Sequence, residues 1–292
     1  MIVVTAPTGV IGGQVLARLL EADAPIRVIV RDPNRLAPEF RARVEVIEGS
    51  HGDREVVNRA FAGADALFWL VPAAPHAPSL EAAYVDFTRP AAAAITEQGV
   101  GHVVSISALG RGTTLPAGHV AASWAMDDLL ASTGVNFRAL TMPSFMDNVL
   151  RQMVPIRDQG VYSLSLSGDR KLPVVATRDI AAVAAVLLLD TSWTGQEAVP
   201  VLGPEDLSQD DMAAIMSEVL GRPVRYQQVS HEAYKEARLR MGVSEIIAQG
   251  LVEMAAAKNE GIDNLVARTP ETSTPTTFRQ WCEDTLKPAV LA

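Results

Sequence analysis

The sequence predicts an α/β protein: a doubly wound parallel sheet with a smaller C-terminal α+β lobe. Three observations predict it. Through the first half, short β-branched apolar runs alternate with amphipathic stretches, the rhythm of buried parallel strands joined by crossover helices. After Pro143 that rhythm gives way to one alternating apolar/polar run and several helix-period segments. The 292 residues are 48% hydrophobic, enough for one large core, or one core and a smaller second unit.

In order along the chain, "IVVT" (2–5), "IRVIVR" (26–31), "VEVIEG" (44–49), "ALFWLVP" (66–72), "HVVSIS" (102–107) and "FRALTMP" (137–143) read as strands. A helix over 12–22 places Val15, Leu16, Leu19 and Leu20 on one face, and 54–61 does the same with Val56, Val57, Ala60 and Phe61. Segment 79–98 carries Pro90 inside a helical pattern, so a kink or two helices are expected there. "VYSLSLSG" (161–168) reads as a half-exposed strand, and 178–190 as a nearly all-apolar helix returning to the main layer. A strand ("EAVPVLG"), a helix and a strand (222–230) follow; the helix has Ser208 as N-cap, Asp211 three residues on and Gly221 as C-cap. Residues 230–260 read as helical and 269–278 as a loop. The expected division is 1–150 for a nucleotide-binding domain and 151–292 for a smaller substrate-binding lobe, with 178–190 packed on the sheet.

Composition narrows the function classes. The formal net charge is −9 and no Lys/Arg cluster exceeds two residues, which argues against nucleic acid as a partner. The one cysteine, Cys282, excludes an internal disulfide, fits a reducing compartment and reads as a part-buried helix residue beside Trp281. The longest apolar helix candidate, 181–190, is about half the ~20 residues a membrane span needs. With no basic leader in "MIVVT", a cytoplasmic protein without a membrane partner is expected. The five histidines show no metal-ligand spacing, so no metal is expected.

The stretch "VVTAPTGVIGGQVLARLL" (3–20) is a strand, a turn with Pro7 and Gly9, and an amphipathic helix. The spacing Ala6-x-x-Gly9-x-x-Gly12 fits the tight turn of a Rossmann-type fold, where backbone N–H groups meet a pyrophosphate. The second strand ends 19 residues beyond Gly12, at Arg31. A cation there favours a 2′-phosphate over a bare ribose. NADP(H) is therefore the expected cofactor, with NAD(H) as the other option because Asp32 follows; "DPN" also reads as a turn with Pro33 in the first helical position.

"VTAPTGVIG", "VRDP", "FWLVP", "HVVSIS", "STGVNFRALTMPSFMDN" (132–148), "ATRDIAAVAAVLL" (176–188) and "LGPEDLSQDDMAAIMSEVLGRPV" (202–224) occur in this order. Together they resemble the NmrA-like family of NAD(P)-binding atypical short-chain dehydrogenase/reductase proteins, over nearly the whole chain. The resemblance implies that Thr8, Gly9, Val10, Ile11 and Gly12 form the phosphate turn and that Arg31 meets the adenosine 2′-phosphate. It implies that Val71 and Pro72 line the nicotinamide-side ribose, that Ser105 and Ser107 floor the site, and that Phe145, Met146 and Asn148 face cofactor or substrate. The chain departs from the family pattern after strand three, where "GSHGD" has Ser50 in place of an acid, and at Thr141-Met142, where relatives have Arg-Pro.

The proton donor is missing from its usual place. Four residues beyond Tyr84, Tyr162, Tyr226 and Tyr234 stand Thr88, Leu166, Ser230 and Arg238, so no Tyr-x-x-x-Lys pair exists. Tyr234 and Arg238 read as a surface helix pair. His119, opening the helix after strand five, is the candidate catalytic acid; it also reads as a capping or solvated histidine. His51 and His102 read as loop or strand-edge residues. Two functions follow: an NADPH-dependent oxidoreductase passing hydride to a small organic acceptor, a quinone or conjugated carbonyl; or an NAD(P)-binding redox sensor without turnover.

Overall fold

The computed structural model describes residues 1–291. Its strands are β1 (Ile2–Thr5), β2 (Ile26–Val30), β3 (Glu45–Glu48), β4 (Ala66–Trp69), β5 (His102–Ala108), β6 (Asn136–Met142), β7 (Ser144–Phe145), β8 (Val161–Leu164), β9 (Leu172–Val175), β10 (Gln196–Pro200), β11 (Asp206–Leu207) and β12 (Arg225–Gln228). Its helices are α1 (Val10–Glu21), α2 (Pro38–Arg41), α3 (Arg54–Phe61), α4 (Phe87–Gln98), α5 (His119–Ala131), α6 (Met153–Gln159), α7 (Thr177–Leu189), α8 (Gln209–Leu220), α9 (His231–Arg240), α10 (Glu245–Asn259), α11 (Phe278–Trp281) and α12 (Lys287–Leu291).

The chain forms two compact units, and no single cut at residue 150 separates them. The first comprises Met1–Ser107, Ala122–Thr141 and Ile180–Val199; the second comprises Ala108–Ala121, Met142–Asp179 and Pro200–Ala292. Three of the crossings, after Ser107, Thr141 and Val199, fall within one residue of the ends of β5, β6 and β10. Strand ends carry no linker composition, so the sequence could not mark these crossings.

In the first unit a seven-stranded sheet runs in the order β10-β6-β5-β4-β1-β2-β3. β1 pairs in parallel with β2 and β4, β2 with β3, and β4 with β5. One face carries Val3, Ile29, Leu67, Trp69, Val103 and Phe137, packed with Phe61 of α3, Ile95 of α4 and Leu130 of α5. The alternate residues Ile2, Val4, Val28, Phe68 and Val104 are buried too. Burial on both faces is why these strands read as continuous apolar runs. α1 buries Val15, Leu16, Leu19 and Leu20, as its spacing predicts. Before α4 the helix widens into a π turn over Ala82–Asp86, with Pro90 inside α4. Proline offers no N–H to the carbonyl four residues back, here that of Asp86, and its ring crowds it.

The second unit holds a three-stranded sheet, β11-β9-β7, and a two-stranded one, β12-β8. Its core gathers Met146, Ile156, Tyr162, Met212, Met216, Phe278 and Trp281. α8 begins with a full capping box between Ser208 and Asp211 and ends at Gly221 in the left-handed region, φ 66. The helical stretch 230–260 is two helices, α9 and α10. Cys282 is fully buried rather than part-buried, and burial pushes its thiol up to about 12. Among the described residues no helix is long and apolar enough to cross a membrane.

Candidate functional site

Order in the sheet places four of the expected positions side by side in the first unit. The carboxyl ends of β5, β4, β1 and β2 are neighbours. Ser107 lies at the end of β5, and the pair Val71 and Pro72, the 6–12 turn and Arg31 follow the ends of β4, β1 and β2. Open α/β sheets bind ligands at this edge.

The turn after β1 is tight and glycine-dependent. Ala6 adopts φ 50 and its carbonyl accepts from the Gly9 N–H at 3.0 Å. A Cβ on Gly12 would stand 2.2 Å from that same carbonyl oxygen. No side chain caps α1, and its first turn holds no acid. α3 and α8, by contrast, are capped by Asp53 and Ser208. The start of α1 therefore keeps backbone N–H groups and the positive end of the helix dipole for an anion. Thr8, Gly9 and Val10 are exposed around this start, while Ile11 and Gly12 are buried beneath it. The residues present fit a pyrophosphate.

Beyond β2, the Asp32 carboxylate accepts from the Asn34 N–H at 3.0 Å, with Pro33 opening the short helical turn. Asp32 is thereby held by its own backbone, and Arg31 stands exposed as the cation beside the turn. His51, after β3, is not a simple loop residue. It is 7% exposed, donates from Nε2 to the Leu70 carbonyl at 3.0 Å, and meets Trp69 and Phe87 edge-on. Burial lowers its pKa to about 4, against the opposing bond to Leu70, and the Arg31 charge lowers it further. His102 Nε2 donates to the Trp193 carbonyl at 3.0 Å, at the other end of β5.

Ser105 and Ser107 alternate on one side of β5, and both are buried. Ser105 Oγ donates to Asp127 Oδ1 at 2.9 Å, and Ser107 Oγ donates to the other oxygen of the same carboxylate. Sequence reading passed over Asp127. Two serines spaced i, i+2 on a buried strand, ahead of an acid in the next helix, are the signal that could have found it.

In the second unit the expected residues fare unevenly. Met146 is fully buried in the core and also lies 3.5 Å from where a Cβ on Gly203 would sit; it is a packing residue with no surface for a substrate. Phe145, on β7, is half-buried and Asn148 is exposed. Between them Asp147 accepts from the Thr177 N–H at 3.0 Å, fixing the start of α7. The His119 Nε2 is bonded to the Ile247 carbonyl of α10 at 3.1 Å. A carbonyl only accepts, so Nε2 carries the hydrogen. Burial lowers the His119 pKa, outweighing the Ile247 bond and the Glu253 charge that raise it. An imidazole so placed holds α10 and resists the charged form that a catalytic acid requires. Among the described residues no group of three or more His, Cys, Asp or Glu could hold a metal.

The NmrA-like family model matches residues 1–282. The chain is 33% identical over 285 residues to a (4-alkanoyl-5-oxo-2,5-dihydrofuran-3-yl)methyl phosphate reductase from Streptomyces griseus, covering 96% of each chain. It is 32% identical over 259 residues to an NAD(P)H azoreductase from Xenophilus azovorans, covering 88% of this chain and 86% of that one. In fold it superimposes on a Citrobacter triphenylmethane reductase solved with NADP(H), with a TM-score of 0.81 and 22% identity, covering 99% of this chain and 100% of that one. The chain belongs to the NmrA-like family.

Proposed function

We propose that the protein is an NADPH-dependent reductase that passes hydride to a small conjugated acceptor. The observation that carries this reading is the uncapped, glycine-lined start of α1, with Arg31 exposed just after the neighbouring strand β2. The N–H groups at Thr8–Gly12 hold the pyrophosphate, and Arg31 takes the 2′-phosphate through charge-assisted hydrogen bonds. Val71 and Pro72 border the nicotinamide-side ribose, and Phe145 and Asn148 border the acceptor. When bound, the dinucleotide supplies the hydride.

The acceptor class follows from chemistry. Without a Tyr-x-x-x-Lys pair, the favoured acceptors spread the arriving negative charge over a π system, which lowers the demand for a strong acid. The Streptomyces relative acts on an unsaturated oxo-dihydrofuran and the Xenophilus relative on azo compounds. Both classes are conjugated, which supports an enone, unsaturated lactone or quinone here.

The test is NADPH oxidation against a panel of enones, quinones and azo compounds, beside binding titrations with both dinucleotides. NADPH should bind more tightly than NADH, and Arg31→Ala should remove most of the difference, about 1.5–3 kcal/mol. Equal affinities in the unsubstituted protein would remove Arg31 from the site. Tight binding with no consumption across the panel would favour the sensor instead.

A further inference from the structure

Ser105, Ser107 and Asp127 form a buried polar cluster between β5 and α5. Asp127 is 3% exposed and Ser105 fully buried, whereas Ser107, nearest the carboxyl end of β5, keeps 6% exposure. Burying a carboxyl group is costly unless its oxygens are bonded. Here each oxygen receives one serine hydroxyl. Ser123, one turn earlier on α5, is buried as well.

We propose that Asp127 carries a proton and delivers it through the Ser107 hydroxyl to the reduced acceptor, serving in place of the absent Tyr-x-x-x-Lys pair. This rests on the reductase reading above. The Ser107–Asp127 hydrogen bond allows two hydrogen arrangements on the same heavy atoms. With Asp127 ionised, Ser107 donates inward. With Asp127 protonated, the carboxyl O–H donates to Ser107 Oγ and the serine hydrogen turns outward. In the reaction the acceptor gains two electrons and one hydrogen as hydride. Its anionic oxygen, nitrogen or carbon then takes the Ser107 proton, Ser107 Oγ takes the Asp127 proton, and the carboxylate regains a proton from water. Electrons and protons balance with no further reactant.

Other titratable groups stand on the elements around Asp127. Asp128 follows it on α5 and is exposed; His119, two turns earlier, is turned to Ile247. His102 lies at the opposite end of β5 against Trp193, and Arg138 of β6 is stacked on that same Trp193. Tyr84, in the π turn, is pushed up to about 12 by burial.

Two measurements test the relay. In the dinucleotide-free protein at neutral pH, infrared difference spectra against Asp127→Asn should show a protonated-carboxyl band that the variant lacks; absence of that band overturns the proposal. With the best acceptor of the panel, Asp127→Asn and Ser107→Ala should each lower kcat about 10²- to 10³-fold. NADPH affinity should stay within about twofold, and Asp127→Asn should lose the alkaline limb of the kcat–pH profile. Unchanged kcat and pH profile in Asp127→Asn overturn the relay while leaving the reductase reading intact. No turnover in the unsubstituted protein defeats that reading, and the infrared band then decides the protonation of Asp127 by itself. Should Asp127→Asn fail to bind NADPH, Ser107→Ala carries the kinetic test.

Discussion

Ala6 holds φ 50, in the left-handed region where an L side chain costs about 1–2 kcal/mol. Ala6→Gly should relieve that strain against about 0.4–1 kcal/mol of added chain entropy in the unfolded state. The net expectation in urea denaturation is no loss of stability and a gain of up to about 1 kcal/mol. Gly12→Ala acts oppositely. Its new Cβ would press on the Ala6 carbonyl at 2.2 Å, costing about 1–3 kcal/mol and displacing the N–H groups that meet the pyrophosphate, so dinucleotide affinity should fall with stability. A Gly12→Ala protein that binds NADPH at full affinity would show the turn to be packing alone. His119→Ala belongs to the same scale: with Nε2 committed to Ile247, it should lower stability by about 1–3 kcal/mol and leave kcat within a few-fold. A loss of kcat of about 10²-fold or more would restore it as the acid.

The elements most legible in the sequence are those whose burial is two-sided or sharply amphipathic. β1, β2, β4, β5, α1, α3, α7 and α8 fall within a few residues of the expected bounds, because apolar period alone specifies them. β7, β9 and β11 were not legible. β7 and β11 are two residues each, and β9 contains Pro173, which gives no N–H to a ladder. The site was legible in the same proportion. A glycine turn announces itself locally, but the Ser–Asp cluster joins residues 20 apart or more and exists only once β5 and α5 pack. The segment between them was also silent in sequence. It is fixed on α10 by His119 and by Gly118, whose φ is 51 and whose Cβ would stand 2.0 Å from the Gly250 carbonyl oxygen. Two backbones touch there, and neither can yield as a side chain does. Gly118→Ala should therefore cost about 3 kcal/mol or more in denaturant, whereas Gly112→Ala, in open space, should cost only its backbone strain, about 1–2 kcal/mol.

At the scale of the whole molecule, each unit holds a histidine with a lowered pKa: His51, buried, in the first and His119, half-buried, in the second. Both shifts act on stability with the same sign. An unfolded imidazole takes up a proton near pH 6.5, whereas folded His51 resists it until about pH 4. Between those values the unfolded chain binds more protons, so stability falls as pH falls. The contribution is complete above about pH 6.5 and lost by about pH 4. For His51 the 2.5-unit gap between 6.5 and about 4 corresponds to about 3 kcal/mol in all, of which about 2 kcal/mol is lost by pH 5. His51→Gln keeps an N–H for the Leu70 carbonyl and removes the titration. Urea denaturation at pH 7 and pH 5 should show the parent losing about 2 kcal/mol more than His51→Gln. Equal losses in the two proteins would mean that His51 is not the group that the folded state keeps neutral.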